Sequence, residues 1–373
     1  MPVYKPLTRT LLELGIMGDI DLGELVFRHV LIGLLCLVAS CWAQPEAEVS
    51  PPPNQSEVKP VPVLSGGLAF VPTWDGGNPI LVSIVSPVLL VPLGDNLLVE
   101  SRAAFEGDFQ RRDGNSGDFT GAIQKSLDYM ELDYLANRYI TITAGRFLTP
   151  FNIFNERLYP NWVRNTQTDP LIFPIGTGSD NGMMVRGGIP ADTNLTLNYA
   201  VYFSTLSNAD HFESERHVGA RAGVFLPRER MEVGMSVQHQ LQDARLSRYG
   251  FHLQWQPARI PLDLRAEGAY SRAEGNGLWI EGAYRLRNAP SSVLRRTQLV
   301  GRAQIFDSGS VPGINASLPS TSMQRAEWGL NYYLNDGWKV LASYGRTFVA
   351  TGDSNIWTIG MTYRFVLPLG REP

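Results

Sequence analysis

The stretch Trp357-Thr358-Ile359-Gly360-Met361-Thr362-Tyr363-Arg364-Phe365 decides the fold. Its odd-numbered positions are all apolar or aromatic. Its even-numbered positions are Thr, Gly, Thr and Arg. Successive side chains of a strand point to opposite faces, so one face of this segment is apolar throughout and the other polar.

The same two-residue period recurs along the chain. Leu195, Leu197, Tyr199, Val201 and Phe203 alternate with Thr196, Asn198, Ala200 and Tyr202; Tyr249, Phe251, Leu253 and Trp255 alternate with Gly250, His252 and Gln254. Candidate strands fall at 64–72, 80–92, 96–110, 119–135, 138–147, 181–189, 193–204, 215–226, 230–241, 247–256, 261–272, 276–287, 294–307, 322–334, 338–350 and 354–366, sixteen in all. No helical period is sustained after Val63, and no stretch is long and apolar enough for a membrane helix. The Val88–Leu93 region, with Pro87 and Pro92, is the weakest strand assignment.

A soluble sandwich also alternates. Three features favour lipid instead. Aromatic residues (Trp255, Tyr270, Trp328, Trp338, Trp357) gather at segment ends, as interfacial girdles do. The polar faces carry full charges of both signs. Segments of about ten residues match a tilted membrane strand. The links after even-numbered segments are mostly tight, as at Gly94-Asp95-Asn96, Ala136-Asn137 and Asn335-Asp336-Gly337, whereas 148–180, 205–214 and 308–321 are long. In lipid every backbone polar group must be paired within the protein, so with helices excluded only a closed barrel spans. The fold class read here is all-β: a transmembrane antiparallel barrel of about 16 strands over residues 63–373. Sixteen strands leave an aqueous lumen.

Before the barrel, Val30–Ser40 is an apolar run of 11 residues preceded by Arg28 and His29 and followed by Cys41-Trp42-Ala43. It reads as a signal peptide over residues 1–43, cleaved after Ala43, with an over-long start: the first 25 residues carry Glu13, Asp19, Asp21 and Glu24. Val38–Cys41 also fits a lipoprotein cleavage box loosely, so lipidation of Cys41 stays open. Residues 44–62, rich in Pro and Glu, read as an extended periplasmic tail. Both cysteines, Cys36 and Cys41, precede the expected cut, which suits an oxidising compartment. The 32 basic residues less four lysines leave 28 arginines, and the net charge is −4. That balance argues against a nucleic-acid partner.

Ala144-Gly145-Arg146-Phe147-Leu148-Thr149-Pro150-Phe151 follows an alternating segment and opens the longest loop. It resembles the Gly-x-Phe-x-x-Pro-Phe segment of porins in the phosphate-selective porin O/P-like group. The resemblance implies a 16-stranded, trimeric diffusion pore with an inward-folding loop. A terminal aromatic such as Phe365 is read in that class by the barrel-assembly machinery, although Val366–Pro373 runs past it here. Selectivity for phosphate in the group depends on lysine-rich arcs. Only Lys125 and Lys339 fall in this barrel, so that property is not carried over.

If the 148–180 loop folds inward, Glu156, Arg157, Trp162, Arg164 and Asp169 form a constriction. The alternative is an outer loop packed on its neighbours or on lipopolysaccharide. By parity the lumen carries Glu100, Glu106, Glu131, Asp133, Glu232, Asp263, Glu267, Glu281 and Glu327, opposed by Arg102, Arg221, Arg265, Arg285, Arg287, Arg302, Arg325, Lys339 and Arg364. These line a water-filled channel or pair across strands to stabilise the wall; the balance of signs predicts weak ion selectivity. His211 and His217, with Asp210 and Glu213, are placed in an outer loop, and their spacing enforces no catalytic arrangement. No catalytic set, metal site or cofactor is expected. The expected function is passive diffusion of small hydrophilic solutes across the outer membrane. The competing class is a non-conducting barrel that acts as an adhesin or surface hydrolase through its outer loops.

Overall fold

A computed structural model of the chain describes residues 61–113, 116–207, 213–311 and 313–370. The expected signal peptide, tail residues 44–60, Asp210 and His211 lie outside these described residues. Sixteen strands close into one antiparallel barrel in which every neighbour in sequence is a neighbour in space. They run Val63–Asp75 (β1), Asn78–Leu93 (β2), Leu97–Asp113 (β3), Ser116–Asn137 (β4), Ile140–Leu148 (β5), Ser179–Asp192 (β6), Leu195–Thr205 (β7) and His217–Leu226 (β8). The second half comprises Met231–Gln240 (β9), Ser247–Trp255 (β10), Leu262–Ser271 (β11), Gly275–Arg285 (β12), Thr297–Ser308 (β13), Met323–Tyr333 (β14), Trp338–Val349 (β15) and Ser354–Pro368 (β16). Closure comes from β1 against β16, with Val63 opposite Pro368 and Trp74 opposite Trp357. No edge strand is left. The doubtful Val88–Leu93 segment pairs with β3 from Val88–Arg102 to Leu93–Leu97 and belongs to β2.

The alternation sorts the two faces. On β16, Trp357 (55% exposed) and Ile359 (54%) face outward, while Thr358 and Thr362 are buried inside. Leu330, Met130, Phe251 and Ile305 belong to the same exposed apolar exterior. Apolar surface on that scale is tolerable only in lipid. Aromatic contacts ring both ends. Tyr249 and Tyr270 meet at the outer end of β10 and β11 (6.3 Å), and Tyr344 meets Trp357 across β15 and β16 (4.5 Å). At the end where β1 begins and β16 finishes, Trp338 stacks on Tyr363 (4.4 Å). Tight turns follow from their residues: the Asn335 side chain accepts the amides of Gly337 (2.9 Å) and Trp338 (2.8 Å).

The links sort by side less cleanly than the sequence suggests. On the outer side Gly76-Gly77 and residues 272–274 are as tight as periplasmic turns, and on the periplasmic side residues 286–296 are long and contain the helical turn Ser292–Arg295. The turn's Ser291 cap side chain accepts from Val293 N.

Candidate functional site

Residues 149–178, between β5 and β6, fold into the lumen. Their neck is pinched shut: Thr149 N donates to Gly178 O (3.0 Å), and Asn155 Nδ2 bridges Thr149 O (3.0 Å) and Gly178 O (2.9 Å). A single π-type turn, Phe154–Leu158, follows. The loop has an apolar side and a polar side. Phe151, Ile153, Phe154, Leu158, Leu171, Ile172 and Ile175 are buried in one cluster with Ala269, Trp279 and Phe306, which project inward from β11, β12 and β13. Each such side chain contributes roughly 1.5–3 kcal/mol on full burial. A loop with this many buried apolar side chains belongs to the barrel's interior and not to its outer surface.

The polar side is tied down by the inward charges. Arg221 donates to Asn152 O (2.9 Å) and to Glu156. Arg157 forms a two-pronged pair with Glu232 (2.6 and 3.0 Å). Glu267 accepts the amides of Ile153 (2.7 Å) and Phe154 (2.6 Å). Glu281 accepts from Asn165 (2.8 Å) and Thr166 (3.2 Å). Thr168 donates to Glu327 (2.5 Å), which Arg302 also holds (2.6 Å), and Arg302 reaches Thr168 O (2.7 Å). Lys339 Nζ donates to Arg164 O (2.5 Å). Two-pronged and charge-assisted bonds of this kind fix geometry as well as adding stability. Many of the parity-assigned lumen charges therefore serve the loop, a third role beside free lining and cross-strand pairing.

The remaining positions divide. Glu131 and Asp133 are bridged by Arg186 (3.4 and 2.8 Å). Arg102 is spent on Asp128 (3.0 Å) and Ser86 (3.1 Å) and lies under the Tyr159 ring (5.2 Å). Asp128 is brought in by the β-bulge that shifts register between Arg102 and Ala103. Arg265 pairs with Asp263 two residues away on its own strand (2.6 Å), and Arg325 donates to Thr347 (3.1 Å). Arg285 sits over the Tyr333 ring (4.0 Å) and, with the exposed Arg287, lines a periplasmic-end cavity of about 350 Å3. Arg364 is exposed near that end. Glu100 and Glu106 form no hydrogen bond or ion pair among the described residues.

Within the loop, Arg164 is buried and turned inward on Tyr159 O (2.6 Å), Gln167 O (3.2 Å) and Asp169 (2.6 Å). Trp162 crosses to the opposite wall, where its ring rests on Gly67 of β1: a Cβ built there would lie 2.1 Å from Trp162 Cε3. Arg146 does not enter the loop's contacts; it bonds Leu127 O (2.8 Å) and Glu213 O (3.1 Å). On the outer side of the loop a cavity of about 790 Å3 is lined by Tyr159, Asp169, Asn315 and Arg325. Between the loop and β1–β3 lies a narrower slot of about 290 Å3.

The histidine reading needs correcting. His217 is the first residue of β8, is buried, and bonds Asp180 (2.8 Å) through Nδ1 and Glu215 (3.1 Å) through Nε2. Asp180, the last residue of the loop that the sequence pattern places at 148–180, is thus a buried partner on β6, which starts two residues earlier than its pattern indicates. Ser214 Oγ meets Asp180 (3.3 Å) and not the imidazole, so no nucleophile–base pair is formed there. Among the described residues no group of three or more His, Cys, Asp or Glu is placed to hold a metal ion. Sequence reasoning missed Arg186, Ser236, Gln304 and Asn331. All four lie on lumen faces by parity, and Ser236, Gln304 and Asn331 bond loop backbone, so a parity list that included neutral polar residues would have found those three.

No protein-family model and no curated protein matches this sequence. Solved structures do match over the whole barrel. Salmonella typhi OmpF in complex with daunomycin aligns with a TM-score of 0.57 at 12% identity, covering 81% of this chain and 97% of that one. The anion-selective porin from Comamonas acidovorans gives 0.52 at 11%, covering 81% and 99%. The outer-membrane channel DcaP of Acinetobacter baumannii gives 0.51 at 15%, covering 84% and 99%. The chain therefore has the architecture of the 16-stranded porins, and its lipid-facing exterior places it in the outer membrane. The likeness extends to that architecture and not to the phosphate-selective porin O/P group in particular.

Proposed function

We propose that this barrel is a passive diffusion channel for small hydrophilic solutes and ions, with the 149–178 loop as its constriction and weak charge selectivity. The observation that carries the reading is the loop itself. It is fastened inside the lumen by Arg221, Glu232, Glu267, Glu281, Arg302, Glu327 and Lys339, which narrows the passage without building a separate plug domain. Weak selectivity follows because the anchoring charges and the loop charges they meet nearly cancel in sign: Arg157, Arg221, Arg302 and Lys339 stand against Glu156, Glu232, Glu267, Glu281 and Glu327. In this reading residues 1–43 are the removed signal peptide and 44–62 the periplasmic tail. The barrel is inserted by the assembly machinery, sits among lipopolysaccharide, and assembles as a homotrimer, as in the porin group that Gly145–Phe151 resembles. The test is single-channel recording of the purified protein in a planar bilayer under a salt gradient. Stable steps with a small reversal potential are expected. A folded, heat-modifiable barrel without conductance overturns the reading.

A further inference from the structure

One stretch of inner wall is aliphatic where a pore lining is ordinarily polar. In β2, Ile80, Val82 and Ile84 point inward while Leu81 and Val85 share the outer face, so the strand is apolar on both sides. In register, Val82 lies opposite Val71 of β1, and Ile84 lies opposite Glu106 of β3. These residues form one side of the slot of about 290 Å3; the loop's Tyr159 and Asp169 form the other.

The charges of the slot are unevenly spent. Arg164 is used up inside the loop, and Arg102 on Asp128 and Ser86. Glu106 has no bonded partner among the described residues, and the Asp169 side chain stays 51% exposed although one oxygen meets Arg164. Among neutral polar residues such as Thr73 and Asn161, the accessible charge is therefore anionic and stands beside an aliphatic wall.

We propose that this slot is a subsite for small organic cations with an apolar body, of the alkylammonium or arylammonium class. The ammonium sits on Glu106 and Asp169, and the body lies against Val71, Val82 and Ile84. The proposal rests on the pore reading only for how such a solute arrives. A solute with both features covers apolar wall and compensates charge at once; an inorganic cation does only the second, and a carboxylate of the same length meets like charge.

The experiment is titration calorimetry of butylammonium, hexylammonium and hexanoate into the detergent-solubilised full chain, with Glu106→Gln in the same detergent as matched reference. Affinity is expected to rise about fourfold per methylene. Hexanoate should bind at least about tenfold more weakly than hexylammonium, and Glu106→Gln should lower hexylammonium affinity by a factor on the order of five. Val82→Thr keeps the shape of the wall and should flatten the chain-length dependence. Equal binding of hexanoate, or an unaltered length dependence in Val82→Thr, overturns the subsite. Absence of binding in a barrel that conducts removes the subsite and leaves the pore. Glu106-dependent binding in a barrel that does not conduct removes the pore and leaves the subsite.

Discussion

Glu267 Oε1, on the inner face of β11, accepts the backbone amides of both Ile153 (2.7 Å) and Phe154 (2.6 Å), where the loop begins its helical turn. Its other oxygen accepts Trp279 Nε1 (3.1 Å). A strand carboxylate thus fills the place that a helix cap usually holds, and it ties the loop's polar start to the apolar cluster around Trp279.

Replacing Glu267 by Gln sets an amide donor against one of these N–H donors. The fold should survive, because the barrel's own pairing is untouched. The loop's attachment should weaken by about 1–3 kcal/mol, the cost of leaving a buried polar group unmatched. The check is current noise and limited proteolysis of 149–178. A quiet channel and an uncut loop in Glu267→Gln would show that the carboxylate does not hold it.

The Trp162 ring reaches from the loop to Gly67 of the β1 wall. Trp162→Ala should raise single-channel conductance with little change in melting temperature. Gly67→Ala should displace the ring, since the added carbon would stand 2.1 Å from it, and should move conductance as well. If both variants conduct like the parent, solutes pass elsewhere.

Glu215, in the link between β7 and β8, receives a bond from His217 Nε2 (3.1 Å), which holds its carboxyl below the usual carboxylate range. A carboxyl depressed by folding stabilises the folded state above its ordinary pKa, and that contribution is lost as acid protonates it. Between about pH 5 and pH 3 the parent should therefore lose slightly more heat stability than Glu215→Gln, by about a degree or two given the half-exposed side chain. Parallel melting curves for the two across this range would remove the bond from the acid response.

Ile359 faces lipid on β16. Ile359→Arg should cost about 2–4 kcal/mol if it sits near the bilayer midplane, read as a lower denaturant midpoint for refolding into vesicles. An unchanged midpoint would contradict the outward assignment of the Trp357–Phe365 apolar face.

The sequence alone determined the wall. Strand identity, number and facing follow from a period of two, which is local: Trp357 and Thr358 declare their sides without reference to anything distant. It also marked 148–180 as the loop to watch, by its length and by the Gly145–Phe151 segment that opens it. The partners were not legible. Arg157 meets Glu232 across 75 residues and Lys339 meets Arg164 across 175, and no local pattern encodes which inward charge a folded-in loop will reach. Only closure of the barrel sets those distances. It converted a balanced list of lumen charges into loop anchors, moved His217 and Asp180 together into a buried pair, and left Glu106 facing the aliphatic slot without a partner among the described residues. Periodicity is fixed by backbone geometry within a few residues, whereas pairing of charges depends on where the closed sheet and the loop finally place them.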